Sequence, residues 1–217
     1  MRSKMSDTAA AAAIVAASRE LRLPVVRADA ARLAEILAAE VDERAERRRQ
    51  RRVTEAHFPR TKRLADFDLG AAATVQPAAI ATLTSGAYLQ TGDPVVFLGD
   101  SGTGKSHLLI GLGMAACEQG RRVRYATAAQ LGNELAEAAD ERRLSRSVAR
   151  YGRLDLLCLD ELGYVQLDSR GSELLFQILT EREERASVAV ATNLPFSEWG
   201  TVIPDPRLFA ALRNLGQ

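Results

Sequence analysis

Gly99-Asp100-Ser101-Gly102-Thr103-Gly104-Lys105-Ser106 decides the fold. The octet fits the pattern G-x-x-x-x-G-K-[ST], in which glycines let the backbone curl until its N–H groups face phosphate oxygens. Before it runs Val95-Val96-Phe97-Leu98, a short apolar stretch bounded by Asp93-Pro94 and Gly99, which reads as a buried strand. Behind it, residues 105–119 read as a helix ending at Gly120. Strand, glycine loop and helix N-terminus together are the setting this chemistry needs, because the helix adds its positive end to the loop. Lys105 is expected to meet the β- and γ-phosphates of ATP, and the Ser106 hydroxyl to ligate Mg²⁺. The adjoining His107 is counted with the phosphate-binding segment, its ring being read as local packing.

Outward from the loop, apolar runs alternate with helical patterns. Arg122–Ala126, Leu156–Leu159 and Ser187–Ala191 read as strands. Residues 128–150 carry one helical pattern with Leu131, Leu135 and Ala138 on a face, and 170–185 another with Leu174, Leu175, Ile178 and Leu179. Strands alternating with helices predict an α/β, three-layer P-loop NTPase with a parallel sheet covered on both faces.

Hydrolysis also needs a metal anchor and a group that orients water. Leu156-Leu157-Cys158-Leu159-Asp160-Glu161 offers both, an apolar strand ending in two carboxylates. Asp160 is expected to hold Mg²⁺ through a water, and Glu161 to polarise the attacking water; the bland alternative is an acidic surface turn. The last strand ends in Ala191-Thr192-Asn193-Leu194-Pro195. Asn193 is expected close to Glu161, its amide available to the water or the γ-phosphate; otherwise it is a turn residue before Pro195.

Ahead of this core (94–217), residues 1–57 read as a helical N-terminal region and 58–93 as a linker and lead-in. Leu33, Ile36, Leu37 and Val41 give residues 28–52 an amphipathic helical pattern. Arg44–Arg63 is dense in arginine, suiting DNA phosphates or a protein contact, though Asp42, Glu43, Glu46 and Glu55 allow a merely solvated face. In the lead-in, Phe58, Leu64 and Phe67 are the expected packing anchors. Trp199 reads as another anchor. The formal net charge of +1 excludes little. Cys117 and Cys158 lack metal-ligand spacing and read as buried thiols in a reducing cytoplasm. The run Ala9–Ala17 is too short for a membrane span, which takes about 20 residues, and reads as a helix former or a loose leader. No membrane role is expected.

With these residues in view, the chain resembles the IstB-like transposition helper ATPases, relatives of bacterial helicase loaders within the AAA+ class. The resemblance runs from about Leu21 to Leu212. It rests on Phe58-Pro59-Arg60, Leu98–Ser106, Leu159-Asp160-Glu161-Leu162-Gly163-Tyr164 and Thr192-Asn193-Leu194-Pro195-Phe196-Ser197-Glu198-Trp199. It implies an ATP-dependent helper that forms a homo-oligomer on DNA and activates a partner transposase in the bacterial cytoplasm. It also implies that Asn193 is the polar sensor residue and that the sheet order is 5-1-4-3-2.

The resemblance carries two departures. The N-terminal helical region is shorter than usual between Arg32 and Glu40. The family also continues past Asp205-Pro206-Arg207-Leu208 into an Asp-Arg-Leu motif and a final strand, where this chain ends Leu212-Arg213-Asn214-Leu215-Gly216-Gln217. On that reading the chain is a truncated or frameshifted copy. Val95–Leu98 becomes a sheet edge, and Arg207 and Arg213 are weak substitutes for the arginine that acts on a neighbour's ATP. The alternatives to a transposition helper are a helicase-loader-like replication ATPase and a remnant that holds ATP or DNA without turnover.

Overall fold

A strand covered on both faces must be apolar at nearly every position, and the four apolar runs of this sequence assemble accordingly. In the computed structural model, β1 (Val95–Leu98), β2 (Val123–Thr127), β3 (Leu156–Leu162) and β4 (Ser187–Thr192) form one parallel sheet in the order β1-β4-β3-β2. This is the order the resemblance implies for these four strands. The structure describes residues 7–70, 75–163, 169–182, 185–195 and 198. Tyr164, Phe196, Ser197, Trp199, Arg207, Arg213 and any fifth strand after them lie outside the described residues.

The period of two in a strand sorts the core into two faces. Leu157, Leu159, Val188 and Val190 face one cluster, which α7 (Ala128–Asp140), α8 (Leu144–Gly152) and α9 (Ser169–Arg182) complete with Leu131, Leu135, Tyr151 and Ile178. Leu156, Cys158, Ala189 and Ala191 face the other, where α6 (Lys105–Glu118) packs through Leu109, Ile110, Leu112 and Cys117. Cys117 and Cys158 are free thiols buried there, as expected. Helices on both faces of a parallel sheet make the three layers expected.

The single helix expected over 128–150 is two. Its start is sharp, because Thr127 and Gln130 form a reciprocal capping box with both bonds at 3.2 Å. It stops at Asp140, where Arg142 turns left-handed at φ 56°. Arg143 N–H then donates to Ala138 O at 2.7 Å and Arg142 N–H to Ala139 O at 3.1 Å. These are the two bonds of a Schellman ending, with arginine where glycine is usual. Hydrophobic periodicity continues into α8 and conceals the break.

Nor is 58–93 merely a linker. It holds a 3-10 turn (Leu64–Asp66), α4 (Pro77–Ser85) and α5 (Tyr88–Thr91). Phe58 packs against the α6 side of the core, and Leu64 is buried. The Lys62 N–H donates to Met114 Sδ on α6 at 3.3 Å.

Residues fall into two units, Met1–Arg49 and Gln50–Gln217. The first contains α1 (Asp7–Glu20), α2 (Pro24–Ala28) and most of α3 (Ala30–Ala56). The Ala-rich run is thus helix. None of the helices of the described residues is long and apolar enough to cross a membrane.

One buried charge ties the α9 layer to the sheet. Arg182 is 1% exposed. Its guanidinium donates to Tyr151 O at 2.6 Å, Leu154 O at 3.1 Å and Ser187 O at 2.7 Å. Burial lowers its pKa to about 10, which leaves it charged at neutral pH. The three carbonyls end α8, precede β3 and open β4, so one side chain fixes where two strands begin. Arg182→Leu strands those acceptors in an apolar setting, where an unpaired polar group costs about 1–3 kcal/mol. Urea unfolding should show a loss of about 3 kcal/mol or more; a loss below 1 kcal/mol would mean the carbonyls find other partners.

Candidate functional site

Parallel strands bring their C-terminal ends to one edge of the sheet, and the glycine loop, Asp160, Glu161 and Asn193 sit along that edge. Thr192, the last residue of β4, pairs with Leu98 of β1 on one side and Leu162 of β3 on the other. The glycine loop follows Leu98, Asn193 follows Thr192, and Asp160 and Glu161 immediately precede Leu162. Strands lie about 4.8 Å apart, so the loop's start and the β3 end face each other across roughly 10 Å.

The loop joins β1 to α6 without a side-chain cap, the N-cap being Gly104. Gly104 has φ 88°, and a Cβ there would lie 2.7 Å from the Phe67 ring. Both the backbone and the lead-in therefore demand glycine. The first turn of α6 leaves N–H groups that no helical carbonyl can reach. The Lys105 ammonium donates to Asp100 O at 2.6 Å, and Thr103 Oγ1 donates to the same carbonyl at 2.8 Å. Asp100, Ser101, Gly102 and Thr103 are exposed, and the exposed Ser106 hydroxyl has no partner among the described residues. His107 behaves as read: its Nε2 lies 2.9 Å from Arg63 O and its ring stands edge-on to Phe67 at 5.4 Å. A groove of about 730 Å³ runs between α4 and β1 to Gly99, Thr103 and Lys105.

At the other end, β3 does not stop at Leu159 as its apolar run suggests. Its pairing with β4 shifts between Leu159 and Leu162. Inside that bulge Glu161 adopts φ 58°. A left-handed, non-glycine residue costs about 1–2 kcal/mol, and bulges re-aim side chains next to functional sites. The bulge leaves Glu161 exposed while Asp160 is only 4% exposed. Asp160 Oδ1 accepts from the Glu161 N–H at 2.8 Å, and Oδ2 accepts from Tyr125 Oη–H at 2.7 Å. Burial first, and then this bond to Asp160, raise the Tyr125 pKa well above its ordinary value, so the phenol stays a donor.

Two residues escaped the sequence reading. Tyr125 lay inside the expected strand Arg122–Ala126 without being singled out; its signal was a hydroxyl-bearing ring in that strand. Thr192 closed the apolar run Val188-Ala189-Val190-Ala191, and that was its signal. Its hydroxyl donates to Leu162 O at 2.7 Å and accepts from Leu194 N–H at 3.0 Å. Its own carbonyl accepts from the Gly99 N–H at 3.3 Å. Thr192 thereby joins the glycine loop, the end of β3 and the turn carrying Asn193, which is itself exposed. That turn closes over Gly163, at φ 91°, where any side chain would collide with Leu194.

The arginine strip is largely self-compensated. Arg44 pairs with Glu40 at 2.6 Å, Arg47 with Glu43 at 2.5 Å, and Arg49 with Glu46 at 2.7 Å. Arg51 and Arg52 share Glu55. Such exposed helix pairs contribute about 0.3–0.5 kcal/mol each and describe a solvated face.

The chain belongs to the IstB-like ATP binding protein family, whose model matches residues 8–214. It is 37% identical over 180 residues to an insertion sequence ATP-binding protein of Sinorhizobium fredii, covering 82% of this chain and 60% of that one. It is 32% identical over 177 residues to the insertion sequence IS5376 ATP-binding protein of Geobacillus stearothermophilus, covering 82% of this chain and 70% of that one. The chain thus spans well under the full length of these relatives. In fold it is similar to AMPPCP-bound DnaA from Aquifex aeolicus, with a TM-score of 0.60 at 22% identity over 70% of this chain and 47% of that one. It is also similar to the DnaC helicase loader, with a TM-score of 0.57 at 20% identity over 64% of this chain and 86% of that one. The fold is that of an AAA+ P-loop ATPase.

Thr192→Val keeps the side-chain volume and removes the hydroxyl. It removes the hydroxyl to which Leu162 O and Leu194 N–H bond and should cost about 1–3 kcal/mol in urea unfolding. Thr192→Ser should recover most of that loss. Equal stability of Thr192→Val and wild type would show that the hydroxyl contributes nothing.

Proposed function

We propose that this chain, a member of the IstB-like ATP binding protein family, binds ATP with Mg²⁺ at Gly99–Ser106 and hydrolyses it. In this reading it works in the bacterial cytoplasm as a helper that assembles as a homo-oligomer on DNA and assists a partner transposase. One observation carries the ATPase part: a glycine loop opening α6 shares a sheet edge with a buried Asp160 and a strained, exposed Glu161. That the relatives are named insertion sequence ATP-binding proteins supports the transposition part.

The roles follow from chemistry. Backbone N–H groups of the loop and of the first turn of α6 take the phosphate oxygens. Lys105 turns its ammonium from the Asp100 carbonyl toward the β- and γ-phosphates. Mg²⁺, when bound, neutralises charge on those oxygens. The residues present fit this ion. No group of three or more His, Cys, Asp or Glu among the described residues could cage a metal. Mg²⁺ instead suits few protein ligands, substrate phosphates and retained waters. The unpartnered Ser106 hydroxyl is such a ligand. Asp160, with one lone pair on each oxygen already engaged, suits a hold through water. Glu161 polarises the attacking water, and the Asn193 amide completes the polar surround of the γ-phosphate.

Glu161→Gln should leave Mg·ATP binding intact and slow hydrolysis by about a hundredfold or more, the usual contribution of a positioned base. Glu161→Gly should lose the same activity yet gain about 1 kcal/mol of stability, because glycine accepts φ 58° without strain. Single-turnover ATP hydrolysis and thermal unfolding measure the two effects. Hydrolysis by Glu161→Gln at the wild-type rate would remove Glu161 from the mechanism.

A further inference from the structure

At the opposite edge of the sheet, a second site has no place in the ATPase chemistry. A cavity of about 470 Å³ opens where β2 and β3 begin, between Val123 and Leu154. β2 is five residues long, so this end lies roughly 17 Å from the edge that carries Asp160 and Glu161. Arg52, Arg122, Arg124, Arg150 and Arg153 line it, and all belong to the unit Gln50–Gln217.

The carboxylates nearby are too few and already shared. Glu134 serves Arg124 and Arg150 and also accepts from Tyr151 Oη–H at 2.8 Å. Glu55 is divided between Arg51 and Arg52. Asp155 is engaged by Arg122 through three bonds of 2.7–3.2 Å. Arg153 has no ion-pair partner among the described residues, and the buried Arg52 Nε has no hydrogen-bond partner. Five lining guanidiniums thus meet three carboxylates. His57, also in the lining, feels the surplus: loss of water first, and then Arg124 and Arg150, hold its pKa below the ordinary value.

We infer that this cavity is a nucleic-acid backbone site, in which Arg150 and Arg153 contact DNA phosphates. The inference rests on the DNA-binding part of the proposed function and gives it a surface other than the exposed stretch of α3 where Arg44, Arg47 and Arg49 pair with glutamates of the same helix. Surplus guanidinium is what phosphodiesters select. The lining offers no platform for bases, because Tyr151 is 1% exposed with its hydroxyl held by Glu134. A charged site without a stacking ring reads backbone, not sequence.

The test is fluorescence anisotropy of a labelled DNA duplex across a salt series. Arg150 and Arg153 are both exposed, so Arg150→Gln/Arg153→Gln should fold. A fluorescent ATP analogue, bound equally by variant and wild type, verifies that it does. Removing two phosphate contacts should weaken DNA binding about tenfold and lower the slope of log K against log[salt] by about 1.8. Arg150→Lys/Arg153→Lys should restore most of the slope, and Arg48→Gln on α3 should leave it unchanged. If wild type binds DNA and the double Gln variant keeps its slope, the cavity assignment is wrong while the proposed function stands. If wild type does not bind DNA, the inference and the DNA-binding part of the proposed function both fall. An unchanged slope together with tight, Arg153-dependent binding of inorganic tripolyphosphate would make this a small-anion site and overturn the inference.

Discussion

The structure depends on the in-register ending of β1, β4 and β3 at Thr192. A parallel sheet cannot fix its own ends, because hydrogen-bonded neighbours only set spacing and register. Here a buried threonine supplies the missing constraint. Its carbonyl holds the start of the glycine loop, and its hydroxyl holds both the end of β3 and the turn after β4. A side chain 1% exposed and fully bonded cannot shift without leaving polar groups unpaired. The loop, the end of β3 and the turn carrying Asn193 are therefore tied to one residue.

Stability and function part company at Glu161. The β3 ladder would run on smoothly if Asp160 and Glu161 alternated like the residues before them. The bulge interrupts this, placing one carboxylate inside, bonded to Tyr125, and the next outside in a left-handed conformation. The fold accepts that strain because the neighbouring strands are buried and Gly163 with Leu194 closes the turn behind it. In the proposed mechanism the result is a division of labour: an immobile acid for the metal and an exposed one for water.

Much of this was legible in the sequence because it is local or periodic. The glycine octet announces its own backbone geometry, and the apolar runs give all four strands to within a few residues. The α/β class follows from their alternation, and the family resemblance supplied the sheet order. What stayed hidden depends on tertiary partners. The Schellman stop at Arg142 carries no glycine to mark it. The lead-in looked like a linker because its short helices are held by tertiary packing, α4 on α6 and α5 on β4, not by pattern of their own. Tyr125 matters through an acid on another strand, and the arginine strip reads differently once Arg44, Arg47, Arg49, Arg51 and Arg52 are placed beside glutamates of the same helix. The cavity at the far edge gathers arginines from three separate stretches of chain, so no window of sequence could display it.

The central claim is that Gly99–Ser106 holds the phosphates of ATP. Isothermal titration of Mg·ATP into wild type and Lys105→Ala tests it most directly. A lost charge-assisted contact of about 1.5–3 kcal/mol should weaken binding by roughly ten- to a hundredfold or more, with the unfolding midpoint little changed. Equal affinity in the two proteins would contradict the assignment of the loop.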